Sequence, residues 1–422
     1  MLYLYKNIMS QLKWIVKKYV PKFLHPLLLK CYSLLFHESI LKRVIFQHKQ
    51  LIKSLTGNNT IQIIQPSFYS LDGAKYLNGG AERYCTDLAQ IIAGLSFKTV
   101  IIQHATKFFH RKHQNIDVLG LPVGMCYTLF NKIIHSEIFG TPALRIYSPF
   151  TLAAPIKSNN AIGISHGVFW DNPQYSKAQK QNIVDTFLKL DTLVSVDTIT
   201  LMYCYIEKPL AYNPSKIHYI PNYVDLKKFT PRNSAIANKN NNLVITYPRR
   251  LYAPRGYFLV ESIISEILQK YSDIEFHFVG QVEPEAHKNV TRILKKYPDQ
   301  VYVYEQQDDK MHEIYQKSDI ILIPTVASEG TSLSCLEAMA TGNAIIATNI
   351  GGLTNLIIND YNGLMIFPEK KSLLEAMEKL ITSPELRARL GANAQKTAQV
   401  FSKDKWDDQW TKLLKQKLSL KQ

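Results

Sequence analysis

Short runs of β-branched residues alternate with helical patterns along this chain, break once at a polar, asparagine-rich stretch, and then resume. That pattern predicts an α/β protein of two Rossmann-like units in tandem, each with a parallel sheet covered on both faces. The length of 422 residues agrees, because at about 100–200 residues per domain it favours two or three domains. A composition of 46% hydrophobic and 20% charged residues is that of a folded globular protein.

Residues 1–60 form the first segment. They hold ten basic residues (Lys6, Lys13, Lys17, Lys18, Lys22, Lys30, Lys42, Arg43, Lys49 and Lys53) against one acid, Glu38, and so carry nine of the sixteen excess positive charges. Trp14, Tyr19, Phe23, Leu27, Leu28, Leu34, Leu35 and Phe36 interleave with them in a pattern that predicts broken amphipathic helices. Such a segment either lies on an anionic membrane surface or packs on the first domain with a solvated basic face.

The first Rossmann-like unit is expected over 61–230. Its strands are the apolar runs Ile61–Gln65, Thr99–Gln103, Ile116–Gly120, Ala143–Tyr147 and Ala161–Ser165, with a helix over Ala81–Leu95. The stretch 229–242 is polar, carries Pro231 and ends in asparagines, which reads as a linker. The alternation restarts over 243–400. Strands are predicted at Leu243–Tyr247, Ile274–Val279, Val301–Tyr304, Ile320–Ile323 and Ala344–Ala347, with helices near 256–270 and 333–341. In the final segment, 401–422, Trp406, Trp410, Leu413 and Leu414 recur at near-helical spacing.

Five cysteines form no C-x-x-C pair and leave one over, which argues against a disulfide framework or a zinc site and fits a reducing cytoplasm. No cleavable leader pattern and no run of about eighteen apolar residues is present, so neither secretion nor a membrane span is expected.

In open parallel α/β sheets, ligands bind beyond the carboxyl ends of the strands, so the loops after strands carry the chemistry. Gly79-Gly80 opens the first helix and offers backbone amides to an anion or a sugar oxygen. His166-Gly167 directly follows the strand Ala161–Ser165. Arg250 closes one strand and Arg255-Gly256 opens the next helix, and two guanidiniums at such a place suit a pyrophosphate. The most specific string runs from Ser328 to Ala340. Glu329 precedes a helix and Glu337 lies within it, eight positions on, which can turn both carboxylates toward one groove. Gly330, Thr331, Ser332 and Leu333 lie between the two, with amides available to phosphate at the helix start.

With these pieces in order, together with Ile220-Pro221-Asn222-Tyr223-Val224-Asp225 and Gly351-Gly352, the sequence resembles the family 4 retaining glycosyltransferases, also grouped as glycosyl transferases group 1. The resemblance spans roughly 61–400 and is carried most specifically by the E-x(7)-E motif from Glu329 to Glu337. It implies the GT-B fold, two Rossmann-like domains facing a central cleft, with a C-terminal helix crossing back to the first domain. It also implies that Arg250 and Arg255 hold the donor diphosphate and that Glu337 bonds the ribose hydroxyls. Glu329 and the amides after it would contact the donor sugar and phosphates, and His166 would lie beside the anomeric carbon. Glu329 and His166 are thus the expected catalytic pair. Gly80, Arg250, Arg255, Gly330, Thr331, Ser332, Leu333 and Glu337 are the expected donor-binding set.

No D-x-D motif stands at a donor-site strand end, and Asp308-Asp309 is adjacent rather than spaced. No metal and no cofactor are therefore expected, the nucleotide-sugar being a substrate. The expected partners are a nucleoside-diphosphate sugar, a glycan or lipid-linked acceptor and, through residues 1–60, an anionic membrane surface. Two other classes stand beside this one. A sugar-nucleotide 2-epimerase shares the architecture but gives no reason for the basic segment. A nucleic-acid-binding protein would use the net charge of +16, yet the chain has no zinc finger, RNA-binding aromatic signature or recognition helix.

Overall fold

A computed structural model describes residues 41–77, 79–123, 127–153, 160–167, 175–209, 212–231 and 242–419. Most of the basic N-terminal segment, the centre of the linker and the last three residues lie outside the described residues.

After a helical stretch at 41–47, the first half runs α1 (Lys49–Leu55), β1 (Thr60–Gln65), α2 (Gly80–Gly94), β2 (Lys98–His104), β3 (Phe109–His113), β4 (Ile116–Leu121), α3 (Tyr127–Ile134), β5 (Leu144–Tyr147), β6 (Ala161–Ser165), α4 (Lys177–Lys189), β7 (Thr192–Ser195), α5 (Thr198–Glu207) and β8 (Ile217–Tyr219). The second half runs β9 (Leu243–Tyr247), α6 (Tyr257–Lys270), β10 (Ile274–Val279), α7 (His287–Lys296), β11 (Val301–Tyr304), α8 (Met311–Lys317), β12 (Ile320–Ile323), α9 (Leu333–Ala340), β13 (Ala344–Thr348), β14 (Leu364–Ile366), α10 (Lys370–Thr382), α11 (Pro384–Ala398) and α12 (Lys403–Lys417).

The chain divides into two compact units, Met1–Leu77 with Lys98–Ala143, and Asn78–Phe97 with Leu144–Gln422. In the first, β1 pairs parallel with β2 and β2 with β4, while β3 runs antiparallel along β4. All six residues of β1 are buried, as a parallel strand covered on both faces requires. In the second unit, β5, β6, β7 and β8 pair in succession, all parallel.

A six-stranded parallel sheet, ordered β11-β10-β9-β12-β13-β14, completes the second unit. Its two faces can be read from β12. Ile320 and Leu322 pack into one apolar cluster with α6, α7 and α10, and Ile321 and Ile323 pack into another with α9. Ala344 and Ile346 against Ile345 and Ala347 repeat this division on β13. The period of two is the pleat, and helices cover both sides.

Helix starts follow the caps. Ser176 and Gln179 close a capping box on α4, Asp197 caps α5, Ser332 caps α9, and Ser402 caps α12. Trp406, Trp410, Leu413 and Leu414 all lie on the buried face of α12, and Trp410 Nε1 donates to Tyr84 OH on α2 at 2.8 Å. Four strands have no counterpart among the sequence expectations. β3 is Phe-His-Arg-Lys-His on a sheet edge, β7 and β8 have four and three residues, and β14 three. None supplies an apolar run long enough to be read alone.

Candidate active site

The loops after β6 and before α9 meet within the second unit by backbone contact. Gly167 lies at φ +94°, and a Cβ there would sit 2.3 Å from Gly330 N. One on Gly330 would sit 2.7 Å from both His166 O and Val196 Cγ2. Only glycine at both positions lets the two chains lie this close. Thr331 locks the junction: its hydroxyl donates to Val196 O at 2.9 Å and accepts from Asn222 N at 2.8 Å, while Asn222 Nδ2 donates to Thr331 O at 2.6 Å.

Glu329 is the electrostatic centre. Arg249 Nη2 lies 2.7 Å and Arg255 Nη1 3.3 Å from its Oε2, which also accepts from Thr325 Oγ1 at 2.8 Å. Its Oε1 has no hydrogen-bond partner among the described residues. Burial alone would raise the Glu329 pKa, but the two guanidiniums and the hydrogen bonds from Arg249 and Thr325 hold it below the usual carboxylate value. Arg249 also donates to the Thr325 hydroxyl, and Arg255 Nη1 anchors on Ser328 O at 2.8 Å.

Ser332 caps α9 by accepting from Cys335 N, and Leu333 begins that helix. Leu333 lies beside the glycine loop, since a Cβ on Gly80 would come within 3.2 Å of its Cδ1. Glu337, one turn further along α9, is buried, with Arg83 Nη2 at 2.7 Å from Oε1 and Tyr315 OH donating to Oε2 at 2.9 Å.

His166 Nε2 lies at hydrogen-bond distance, 2.8 Å, from Ser148 Oγ, and Tyr84 meets the imidazole edge-on at 4.9 Å. Burial pushes its pKa down to about 4, so the ring is neutral near pH 7. At the start of α2 the Glu82 carboxylate folds back over Gly79, so that a Cβ on Gly79 would sit 2.4 Å from Oε2. Burial raises the Glu82 pKa to about 7, against backbone hydrogen bonds and the nearby Arg250.

The structure therefore brings Glu329, Arg255, Gly330, Thr331, Ser332, Leu333, Glu337, Gly80 and His166 into one region of the second unit. Arg250 stands apart from the Glu329 cluster, with a side chain 56% exposed, 3.5 Å from Glu283 and stacked over Tyr252. Arg249 occupies the buried place. The sequence shows both arginines, but not which of two neighbours turns inward at a strand end. Arg83, visible in the Gly79–Arg83 string, and Ser148, beyond the end of β5, were also missing from the expected set. Among the described residues no group of three or more His, Cys, Asp or Glu side chains is placed to hold a metal ion.

Residues 229–397 match the profile of the family described as "Glycosyl transferases group 1". Among curated proteins, the chain is 25% identical over 324 residues to a component of the human phosphatidylinositol N-acetylglucosaminyltransferase, covering 72% of this chain and 66% of that protein. It is 24% identical over 204 residues to D-inositol 3-phosphate glycosyltransferase of Rhodococcus erythropolis, covering 45% and 46%. The chain thus spans about half to two thirds of the length of these relatives. Among solved structures, sucrose-phosphate synthase from Thermosynechococcus elongatus superposes with a TM-score of 0.70 at 16% identity, over 85% of this chain and 99% of that one. Anabaena HepE, in complex with UDP and glucose, does so with 0.67 at 16% identity over the same shares. At such identity these structures speak to the fold alone. The chain has the fold of the GT-B glycosyltransferases, and its residues 229–397 are a group 1 glycosyltransferase domain.

Proposed function

We propose that this protein is a retaining, metal-independent glycosyltransferase, moving a sugar from a nucleoside-diphosphate sugar to a glycan or lipid-linked acceptor in bacterial surface polysaccharide synthesis. The observation that carries the reading is the buried cluster in which Arg249 and Arg255 bind Glu329 through Oε2 alone, at the mouth of α9 and beside His166. Oε1 is left as an acceptor for a hydroxyl of the donor sugar. Breaking the bond between anomeric carbon and phosphate puts cationic character on the sugar and added negative charge on the diphosphate. Arg255, the more exposed Arg250 and the first amides of α9 then stabilise the leaving group. His166 is neutral and hydrogen-bonded at neutral pH, so it lines the reacting face without adding a charge of its own. In this scheme the departing phosphate takes the acceptor proton on the face it leaves, which preserves configuration.

HepE is known in complex with UDP and glucose, which makes UDP the first nucleotide to try here. The test is a thermal-shift screen of UDP, GDP, ADP and their sugars, followed by an NMR assignment of the anomeric configuration of the product. Stabilisation by one nucleoside diphosphate and an unchanged configuration are expected. Failure of every nucleotide to bind would remove the donor site, and an inverted product would remove retention. Free epimerised donor, formed without acceptor, would replace transfer by epimerisation.

A further inference from the structure

Arg83 belongs to the first turn of α2, three residues after Gly80, and has no place yet in the chemistry. Its side chain, 28% exposed, reaches across to Glu337, whose side chain is 6% exposed. The two contacts on that carboxylate come from different elements and take different oxygens, Arg83 from α2 on Oε1 and Tyr315 from α8 on Oε2. A glutamate's last torsion is broad and weakly defined by itself. One donor on each oxygen, held by two separate helices, fixes the carboxylate plane.

Each carboxylate oxygen carries two lone pairs. Arg83 and Tyr315 use one on each, which leaves one acceptor site on each oxygen. One open acceptor on each oxygen of a single carboxylate is the number that two neighbouring hydroxyls take up, as in a ribose 2′,3′-diol. We infer that Arg83 is a positioning residue for nucleotide recognition: by pinning Glu337 it sets the discrimination between ribose and 2′-deoxyribose in the donor. The inference rests on the proposed donor site and on the role of Glu337 as the ribose contact, which the family resemblance implies. It assigns to α2, through Arg83, a selectivity that the E-x(7)-E motif alone does not provide. Arg255 is engaged at Glu329 and Arg250 stands beside Glu283, so the diphosphate contacts do not pass through Glu337.

The test is calorimetric titration of the full chain with UDP, GDP and ADP and with their 2′-deoxy counterparts, for the wild type, Arg83→Met, Arg83→Lys and Tyr315→Phe. A hydrogen bond to a buried charge leads us to expect that the wild type prefers the ribonucleotide by about tenfold or more. Arg83→Met is expected to bring that ratio to within about twofold, chiefly by weakening the ribonucleotide, while the 2′-deoxy affinity changes little. Arg83→Lys, which keeps the charge without the fork, should fall between. If Arg83→Met does not fold, Arg83→Lys and Tyr315→Phe carry the same comparison, each with a reduced ratio expected. A wild-type ratio in the variants, or an equal loss for both nucleotide forms, overturns the inference and leaves the site reading standing. A wild type that binds nucleotides without preferring ribose overturns the Glu337 assignment itself, and one that binds none overturns the donor site with it.

Discussion

At the scale of the residue, the buried cluster around Glu329 makes the sharpest demand. Glu329→Gln keeps the shape and part of the hydrogen bonding but leaves Arg249 and Arg255 without a counter-charge, so turnover is expected to fall by about 100-fold or more. Arg255→Ala should do the same, and near-wild-type initial rates for both would remove the cluster from the chemistry. Glu82 gives a pH-dependent prediction of the opposite kind. Its pKa in the folded protein is raised to about 7 from an ordinary value of 4.5. The folded state therefore holds a proton that the unfolded state has released between those values, and stability falls as pH rises through that window. Glu82→Gln cannot ionise, so its melting temperature should exceed the wild type's at pH 8, with the gap closing toward pH 4.5. A constant gap across the range would show that burial does not act on this carboxyl. What was legible at this scale was residue type and spacing. Glu329 and Glu337 could be read as a pair, whereas the choice of Arg249 over Arg250 depends on which side of the chain turns inward after β9. The His166–Ser148 contact depends on β5 and β6 being neighbours, a fact of pairing that no local pattern carries.

At the scale of the element, the strands read correctly were those in which aliphatic or aromatic residues recur over four or more positions. β6, β9, β10, β11 and β12 begin and end where the apolar runs do. The edge strand β3 escaped because four of its five residues are His, Arg or Lys, a composition that suits a strand with one side open. Helix α12 was legible from its spaced aromatics, and its energetic weight can be tested. Trp410 is fully buried and hydrogen-bonded to Tyr84, so Trp410→Ala should cost about 3–5 kcal/mol of stability by leaving a cavity. Trp410→Phe should cost less, because most of the packing survives. Urea denaturation followed by far-ultraviolet circular dichroism would measure both, and equal midpoints for all three proteins would show that the contact is dispensable.

At the scale of the whole molecule, the net charge of +16 is unevenly spread, with nine of the excess charges in residues 1–60. Among the described residues no helix is long and apolar enough to cross a membrane. We propose that attraction to anionic lipid, about 1 kcal/mol for each nearby Lys or Arg, brings the protein to the cytoplasmic membrane face where a lipid-linked acceptor lies. In flotation with vesicles the wild type should rise with anionic but not neutral lipid, sink again in high salt, and lose the effect when residues 1–55 are deleted. Equal recovery in the soluble fraction throughout would end the membrane reading and leave the donor site untouched. The clasp between α12 and α2 has a practical side for anyone shortening this chain. Tyr84, which receives the Trp410 bond, is the immediate neighbour of Arg83 and packs against His166. A chain cut before Lys403 would therefore lose more than a peripheral tail, because the footing beneath both Glu337 and His166 would go with it.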